Sequence, residues 1–146
     1  MRSKVLGSAS SPTSPTANTL LAALPSDLRA VMKSCTKYTD NNGGGNTASN
    51  VSSTTDYLFL LSEYEVFATH QYCNDAEPNY QAQYDYFKAG NSKVANKHSA
   101  TGTAAVWWLR SPNYISNYYF CAVSSSGSLD YYYAYIAYGV VPGFVV

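Results

Sequence analysis

The chain has 146 residues, enough for one domain with a core of its own, and its formal net charge is zero with only 12% of residues charged. No cluster of Lys and Arg supplies the footprint of a phosphate-backbone partner, so the composition argues against nucleic acid as the ligand. The apolar runs fall well short of the roughly 20 residues needed to cross a bilayer, and Val5-Leu6 runs straight into Gly-Ser-Ala-Ser-Ser-Pro, with no apolar core of a secretory signal.

In chain order, Gly7 to Asn18 is rich in Ser, Thr and Pro and reads as a linker or surface loop, so that residues 1–18 are a linker or the remnant of an upstream segment and residues 19–146 a single domain. Leu28, Val31, Met32 and Cys35 recur at i, i+3, i+4 and i+7, which predicts a helix starting after Pro25, capped by Ser26 or Asp27, and ending near Tyr38. Arg29, Lys33 and Lys37 would form its solvated face. Asp40 to Gly45, rich in Asn and Gly, and the following Asn46 to Thr55 are expected to be a long surface loop. Asp56 to Leu61 reads as a buried strand, and Ser62 to Glu65 has the spacing of a capping box. A second helix is predicted over Asn79 to Ala89, with Tyr80, Tyr84 and Phe87 on one face and Gly90 as its stop. Asn91 to Gly102 is polar and loop-like. From Ala104 the pattern is short strands and turns, with Ser125-Ser126-Gly127-Ser128 the clearest hairpin signal. Two helices packed on short antiparallel strands with long irregular loops make an α+β domain.

No residue set with the spacing of a catalytic or metal centre stands out. Cys35, Cys73 and Cys121 are odd in number and widely spaced, so they read as buried thiols rather than a disulfide framework or a metal knuckle. His70 and His98 lack neighbouring ligands at zinc spacing. His70, Cys73 and Asp75 are close in sequence but carry no triad geometry, and Glu63 and Glu65 read as surface or capping residues. Gly43-Gly44-Gly45 lacks the Lys and the helix of a phosphate loop. Glu77-Pro78-Asn79 is a tripeptide that calcium-dependent lectins use, yet a Pro opening a helix capped by Asn79 explains the same residues. Neither a cofactor nor a metal is expected. Trp107 and Trp108 could stack on sugars, but large aromatics adjacent at a strand start read as framework, with Arg110-Ser111-Pro112 setting the departure of the next loop.

Asn113 to Tyr138 is different. It holds eight of the fifteen tyrosines, many Ser and Asn, and one charged residue, Asp130. Tyr gives wide amphipathic contact at small rotamer cost, and Ser and Asn supply adaptable hydrogen bonds, the composition of binding loops. Tyr131-Tyr132-Tyr133 cannot all be buried in one strand, since successive side chains point to opposite faces. The segment also lacks Lys, Glu, Gln, Met and Trp. Those are the amino acids that cannot be reached from an Asn codon by changing its first two bases while keeping its final pyrimidine.

With its frame WWLRSP, FCAV, SSG and YGVVPGF, the segment resembles the C-terminal variable region of proteins diversified by retroelements, in which an error-prone reverse transcriptase rewrites adenine positions. The frame is similar to a family of gut bacterial and phage domains carrying WWxRSP and a closing GVxPxF. LPSDLRAVMKSCTKYTDNN, LFLLSEYEVFA and YQAQYDYFKAGNSKV extend the similarity over most of the chain. The resemblance implies a C-type-lectin-like fold related to formylglycine-generating enzymes, without calcium in the recognition site. Many members have GVRP where this chain has Gly139-Val140-Val141-Pro142, and the chain enters the domain late, as if N-terminally truncated. The resemblance further implies a non-enzymatic binding protein, a phage tail adhesin or bacterial surface protein on a virion or cell surface. Its partner would be a protein or glycan on a host or neighbouring cell, with no membrane insertion of its own and with a carrier domain or virion component beside it. The contacts would come from Asn113, Tyr114, Ile115, Ser116, Asn117, Tyr118 and Tyr119, from Ala122, Ser124 and Asp130, and from Tyr131, Tyr132, Tyr133, Tyr135, Ile136 and Tyr138. Phe120, Cys121 and Val123 would face the core. A fixed carbohydrate-binding module is the alternative, and a formylglycine-generating-like enzyme a further one if two cysteines met in an open groove.

Overall fold

The longest α-helix in the computed structural model, which describes residues 1–146, has six residues, so tertiary contacts rather than propensity must hold the helices. Helices α1 (Leu20–Ala23), α2 (Ser26–Val31), α3 (Glu63–Phe67) and α4 (Asp85–Lys88) accompany ten short strands. These are β1 (Cys35–Asp40), β2 (Val51–Asp56), β3 (Phe59–Leu60), β4 (Ala95–Lys97), β5 (Ala100–Ala105), β6 (Trp107–Pro112), β7 (Tyr119–Val123), β8 (Leu129–Tyr133), β9 (Gly139–Val140) and β10 (Pro142–Gly143). β1 pairs with β2, β3 with β10 and β4 with β5, and a four-stranded sheet has the order β8-β7-β6-β9. The protein is a mixed α+β chain with short helices and several small, largely antiparallel sheets. No helix is long and apolar enough to cross a membrane.

The chain divides into two compact units. The first comprises residues 1–37, 53–59 and 142–146. Leu6, Leu21, Met32, Leu58 and Phe59 are its buried apolar residues. Thr19 caps α1 through its hydroxyl, which accepts from Ala22 N. The Ser/Thr/Pro-rich segment expected as a linker is part of this unit: Ser8 is buried and its carbonyl accepts from Tyr57 N at 2.7 Å, while Arg29 Nη1 donates to the Pro12 carbonyl at 2.6 Å. Arg29 is therefore a tie, not a solvated charge. Lys37 likewise covers the Phe59 ring at 4.1 Å.

The predicted helix to Tyr38 stops at Val31, and Cys35–Asp40 is strand β1, paired with a strand that lies in the expected loop. The helical match covered only eight residues, and of its four apolar positions only Met32 is buried, with Val31 56% exposed. Thr36, Tyr38 and Thr39 in β1 and Val51, Thr54 and Thr55 in β2 are β-formers, and pairing overrides the weak helical periodicity.

The second unit, residues 38–52 and 60–141, carries the four-stranded sheet. β6 is antiparallel to β7 and parallel to β9, and β7 is antiparallel to β8. Trp107, Trp108 and Leu109 are at most 4% exposed and form the core with Val66, Cys73, Cys121, Ala122 and Val123, so both tryptophans are framework. α3 packs on β6 and begins with the expected capping box: Ser62 Oγ accepts from Glu65 N, and Glu65 Oε2 accepts from Ser62 N.

The second predicted helix is reduced to a 3-10 turn at Glu77–Tyr80 and to α4. Between them the chain is extended, because Gln81 is drawn onto other partners: its side-chain oxygen accepts from the Ser62 hydroxyl and, at 2.6 Å, from Arg110 Nη2, while Tyr84 N donates to the Glu65 carbonyl. Gly90 does follow α4, at φ 82°.

Arg110 is the hub of this unit. It donates to the Tyr38 carbonyl at 3.2 Å, the Leu60 carbonyl at 2.9 Å, Glu65 Oε2 at 2.5 Å and Gln81. With the pair's side chains only 9% and 4% exposed, Arg110→Ala strands a buried carboxylate and three other acceptors. Denaturant unfolding should register a loss of about 3–5 kcal/mol, and a loss below ~1 kcal/mol would contradict the hub assignment.

Candidate binding surface

The window from Asn113 to Tyr138 contributes the β6–β7 loop, β7, the hairpin turn, β8 and the turn leading to β9. The hairpin closes as expected: Ser124 N donates to the Ser128 carbonyl and Gly127 N to the Ser124 carbonyl, with Gly127 at φ 85°. In β8 the register sets Tyr133 opposite Tyr119, Tyr132 opposite Phe120, Tyr131 opposite Cys121 and Asp130 opposite Ala122.

Because side chains alternate and cross-strand partners share a face, this register divides the expected surface in two. On one face lie Tyr119, Tyr131 and Tyr133. Their rings are 4.5 Å (Tyr119–Tyr133) and 5.2 Å (Tyr119–Tyr131) apart, and Tyr135 stacks on Tyr133 at 5.2 Å. On the other lie Asp130 and Tyr132, with Tyr138 packed against both Tyr132 at 5.0 Å and the buried Trp108 at 5.4 Å. An open groove of about 700 Å³ is lined by Lys97, His98, Ala104, Trp107, Tyr138 and Val140 among others.

Exposure sorts the candidate contacts further. Tyr135 (81%), Tyr118 (71%), Ile115 (60%) and Tyr133 (41%) stand out into solvent, with Asn117. Tyr114, Ser116, Tyr119, Ser124, Asp130, Tyr131, Tyr132, Ile136 and Tyr138 are half-buried. Asn113 and Ala122 are fully buried and are framework rather than contacts. Asn113 Oδ1 accepts from Ile115 N and so shapes the loop from inside. Cys121 and Val123 are buried as expected, whereas Phe120 is half-exposed.

The backbone of the window is held by main-chain bonds, some of them to residues outside it, and by the side chains of Asn113, Ser116, Ser124 and Asp130 within it. Tyr114 N donates to the Tyr72 carbonyl at 2.8 Å, Gly44 N to the Asn113 carbonyl at 2.9 Å, Asn113 N to the Tyr119 carbonyl and Ala134 N to the Tyr118 carbonyl. Gly43 and Gly44 of the glycine triplet have their role here: a Cβ on Gly44 would sit 3.0 Å from Asn117 N, and one on Gly43 3.3 Å from the Asn113 carbonyl. Two aids to the site were not read from the sequence, Tyr72 and Gly43-Gly44. Both meet the window only in three dimensions.

Beneath the sheet is a cluster of buried acids. Glu63, expected as a surface or capping residue, is 0% exposed and accepts from the amides of Gln71, Tyr72 and Cys73 and from Cys121 Sγ at 3.4 Å. Burial pushes its carboxyl above the usual range, an effect those donors partly offset. Glu77 is also fully buried; it accepts from Asp40 N at 3.0 Å and the Ser111 hydroxyl at 2.6 Å, and burial raises its pKa too. Both oxygens of the Glu-Pro-Asn glutamate are thus engaged within the framework. No group of three or more His, Cys, Asp or Glu side chains is arranged to hold a metal ion. Cys73 and Cys121 are fully buried, with thiols pushed well up by burial, while His70 and Asp75 are exposed.

Asp130 spends its oxygens internally, Oδ1 on Tyr131 N at 2.8 Å and Oδ2 on the Tyr132 hydroxyl at 2.7 Å. That hydrogen bond, with a lesser contribution from burial, pushes Tyr132 up to about 12. The folded phenol therefore holds its proton above the range of a free tyrosine, near 10. Its contribution to stability is present below about pH 10 and lost as the pH rises towards about 12. In a spectrophotometric tyrosine titration, Asp130→Asn should move one phenol down towards 10, and an unchanged curve would contradict the assignment.

No curated protein and no solved structure matches the chain. The model of a family described as Domain of unknown function (DUF6273) matches residues 16–146, and the chain belongs to that family.

Proposed function

We propose that this protein is a ligand-binding protein whose Asn113–Tyr138 segment is a variable recognition surface, diversified by a retroelement and displayed on a C-type-lectin-like domain. One observation carries the reading: main-chain bonds, residues outside the window and the short side chains of Asn113, Ser116, Ser124 and Asp130 hold its backbone, while Ile115, Asn117, Tyr118, Tyr133 and Tyr135 extend into solvent. Such side chains can be exchanged without disturbing what positions them, and the Tyr, Ser and Asn present suit adaptable, uncharged contacts. The partner is a protein or glycan on a host or neighbouring cell, and the protein acts at a virion or cell surface as an adhesin.

A fixed carbohydrate-binding module is the competing reading, but it loses its two flattest platforms, since Trp107 and Trp108 are core residues.

Two measurements test the proposal. The gene should have a near-identical repeat nearby whose mismatches fall at adenines, next to a reverse transcriptase gene. Absence of the repeat, together with purine-ended codons at Ile115, Ser116 and Ile136, would sink the diversification reading. On the protein, Tyr118→Ser and Tyr135→Ser should each shift unfolding stability by no more than about 0.5 kcal/mol. Losses of several times that size would mean that these rings are structural.

A further inference from the structure

We infer that Tyr72, which lies outside the variable window, is a fixed member of the recognition face, held in position by the buried carboxylate of Glu63. The inference rests on the recognition reading proposed above. Glu63, at the first position of α3, receives the three successive amides of Gln71, Tyr72 and Cys73 at 2.6 to 3.3 Å, so this turn is pinned from below. From the other side the Tyr72 carbonyl accepts from Tyr114 N, the second residue of the window. With its backbone held on both sides, the half-buried Tyr72 ring meets Tyr131 edge-on at 4.8 Å and 72°. Tyr131 continues through Tyr119 and Tyr133 to Tyr135, which makes a run of five rings on one side of the β7–β8 ribbon. Four of the rings belong to the window and change with it; Tyr72 does not. A ligand that covers Tyr119 and Tyr131 lies against Tyr72 as well, so every variant of the surface keeps one rigid amphipathic contact already in place.

Buried acids are costly to keep, and Glu63 has no ion-pair partner among the contacts described. Positioning this turn gives it a role that catalysis does not.

The test uses the full chain displayed on yeast, with Ile115, Asn117, Tyr118, Tyr133 and Tyr135 randomised and binders selected against hen egg-white lysozyme. In the selected binders Tyr72→Ala should weaken the Kd for lysozyme by at least about fivefold, while the thermal midpoint stays within a few degrees. A smaller loss overturns the inference. If Tyr72→Ala does not fold, nitration of Tyr72 by tetranitromethane decides: in a binder that keeps Tyr72, lysozyme should protect this residue, and unprotected nitration overturns the inference. Binders that arise without using Tyr72 leave the recognition reading standing. If no binder arises from the library, the recognition reading falls, and this inference with it.

Discussion

Arg110 and the carboxylate of Glu65 form the contact on which the second unit is built. A buried ion pair stabilises only when its geometry is good and its remaining donors and acceptors are used, and both conditions hold. The guanidinium also reaches the carbonyls of Tyr38 and Leu60 and the side chain of Gln81, while Glu65 closes the capping box on Ser62. One side chain on β6 thus fixes the start of α3, the extended stretch after the 3-10 turn and the end of β1. Short helices and two-residue strands gain little from their own hydrogen bonds. Buried polar ties of this kind take the place of long elements.

Next to that pair, Glu63 and Glu77 are satisfied mainly by neutral donors, with the charge of Arg110 also favouring the Glu77 carboxylate. Each fills its carboxylate with amide or hydroxyl donors from segments distant in sequence, and each is left with a pKa raised by burial. Because the ionised form is disfavoured in the fold, these two acids oppose stability at neutral pH and do so less as the pH falls towards their free values near 4.5. Their retention is better explained by shape than by energy: Glu63 sets the 71–73 turn, and Glu77 joins Asp40 to Ser111.

What could be read from the sequence was local. The capping box at Ser62, the turn at Ser125 to Ser128 and the burial of Trp107 and Trp108 each depend on residues adjacent or nearly so, and all are present. The failures share a physical cause. The helix to Tyr38 and the helix from Asn79 rested on apolar periodicity, and in both stretches a distant partner offered more: β2 for the first, Arg110 and Ser62 for Gln81 in the second. Glu65 is the capping residue expected, but nothing near it or Glu63 in the chain shows that a guanidinium or three amides will arrive. For the candidate surface, period-two alternation showed that the tyrosines must divide between faces, but only the register with β7 places Tyr131 and Tyr133 with Tyr119, and Tyr132 with Tyr138.

The same register gives Asp130 a reason to be the window's one charge. β8 is an outer strand of its sheet, and an aromatic edge strand with open backbone groups invites pairing with another chain. Tyr131 N does not point out unused, because Asp130 Oδ1 accepts from it, and the Tyr133 carbonyl is taken by Ile136 N. An edge blocked at these two places resists edge-to-edge association while the tyrosine rings remain available on its face. The two features stay separate: Tyr133 and Tyr135 are exposed on the face, while backbone groups of the edge are occupied. Asp130 thus spends both its oxygens on the strand itself, one on the edge amide of Tyr131 and one on the Tyr132 hydroxyl.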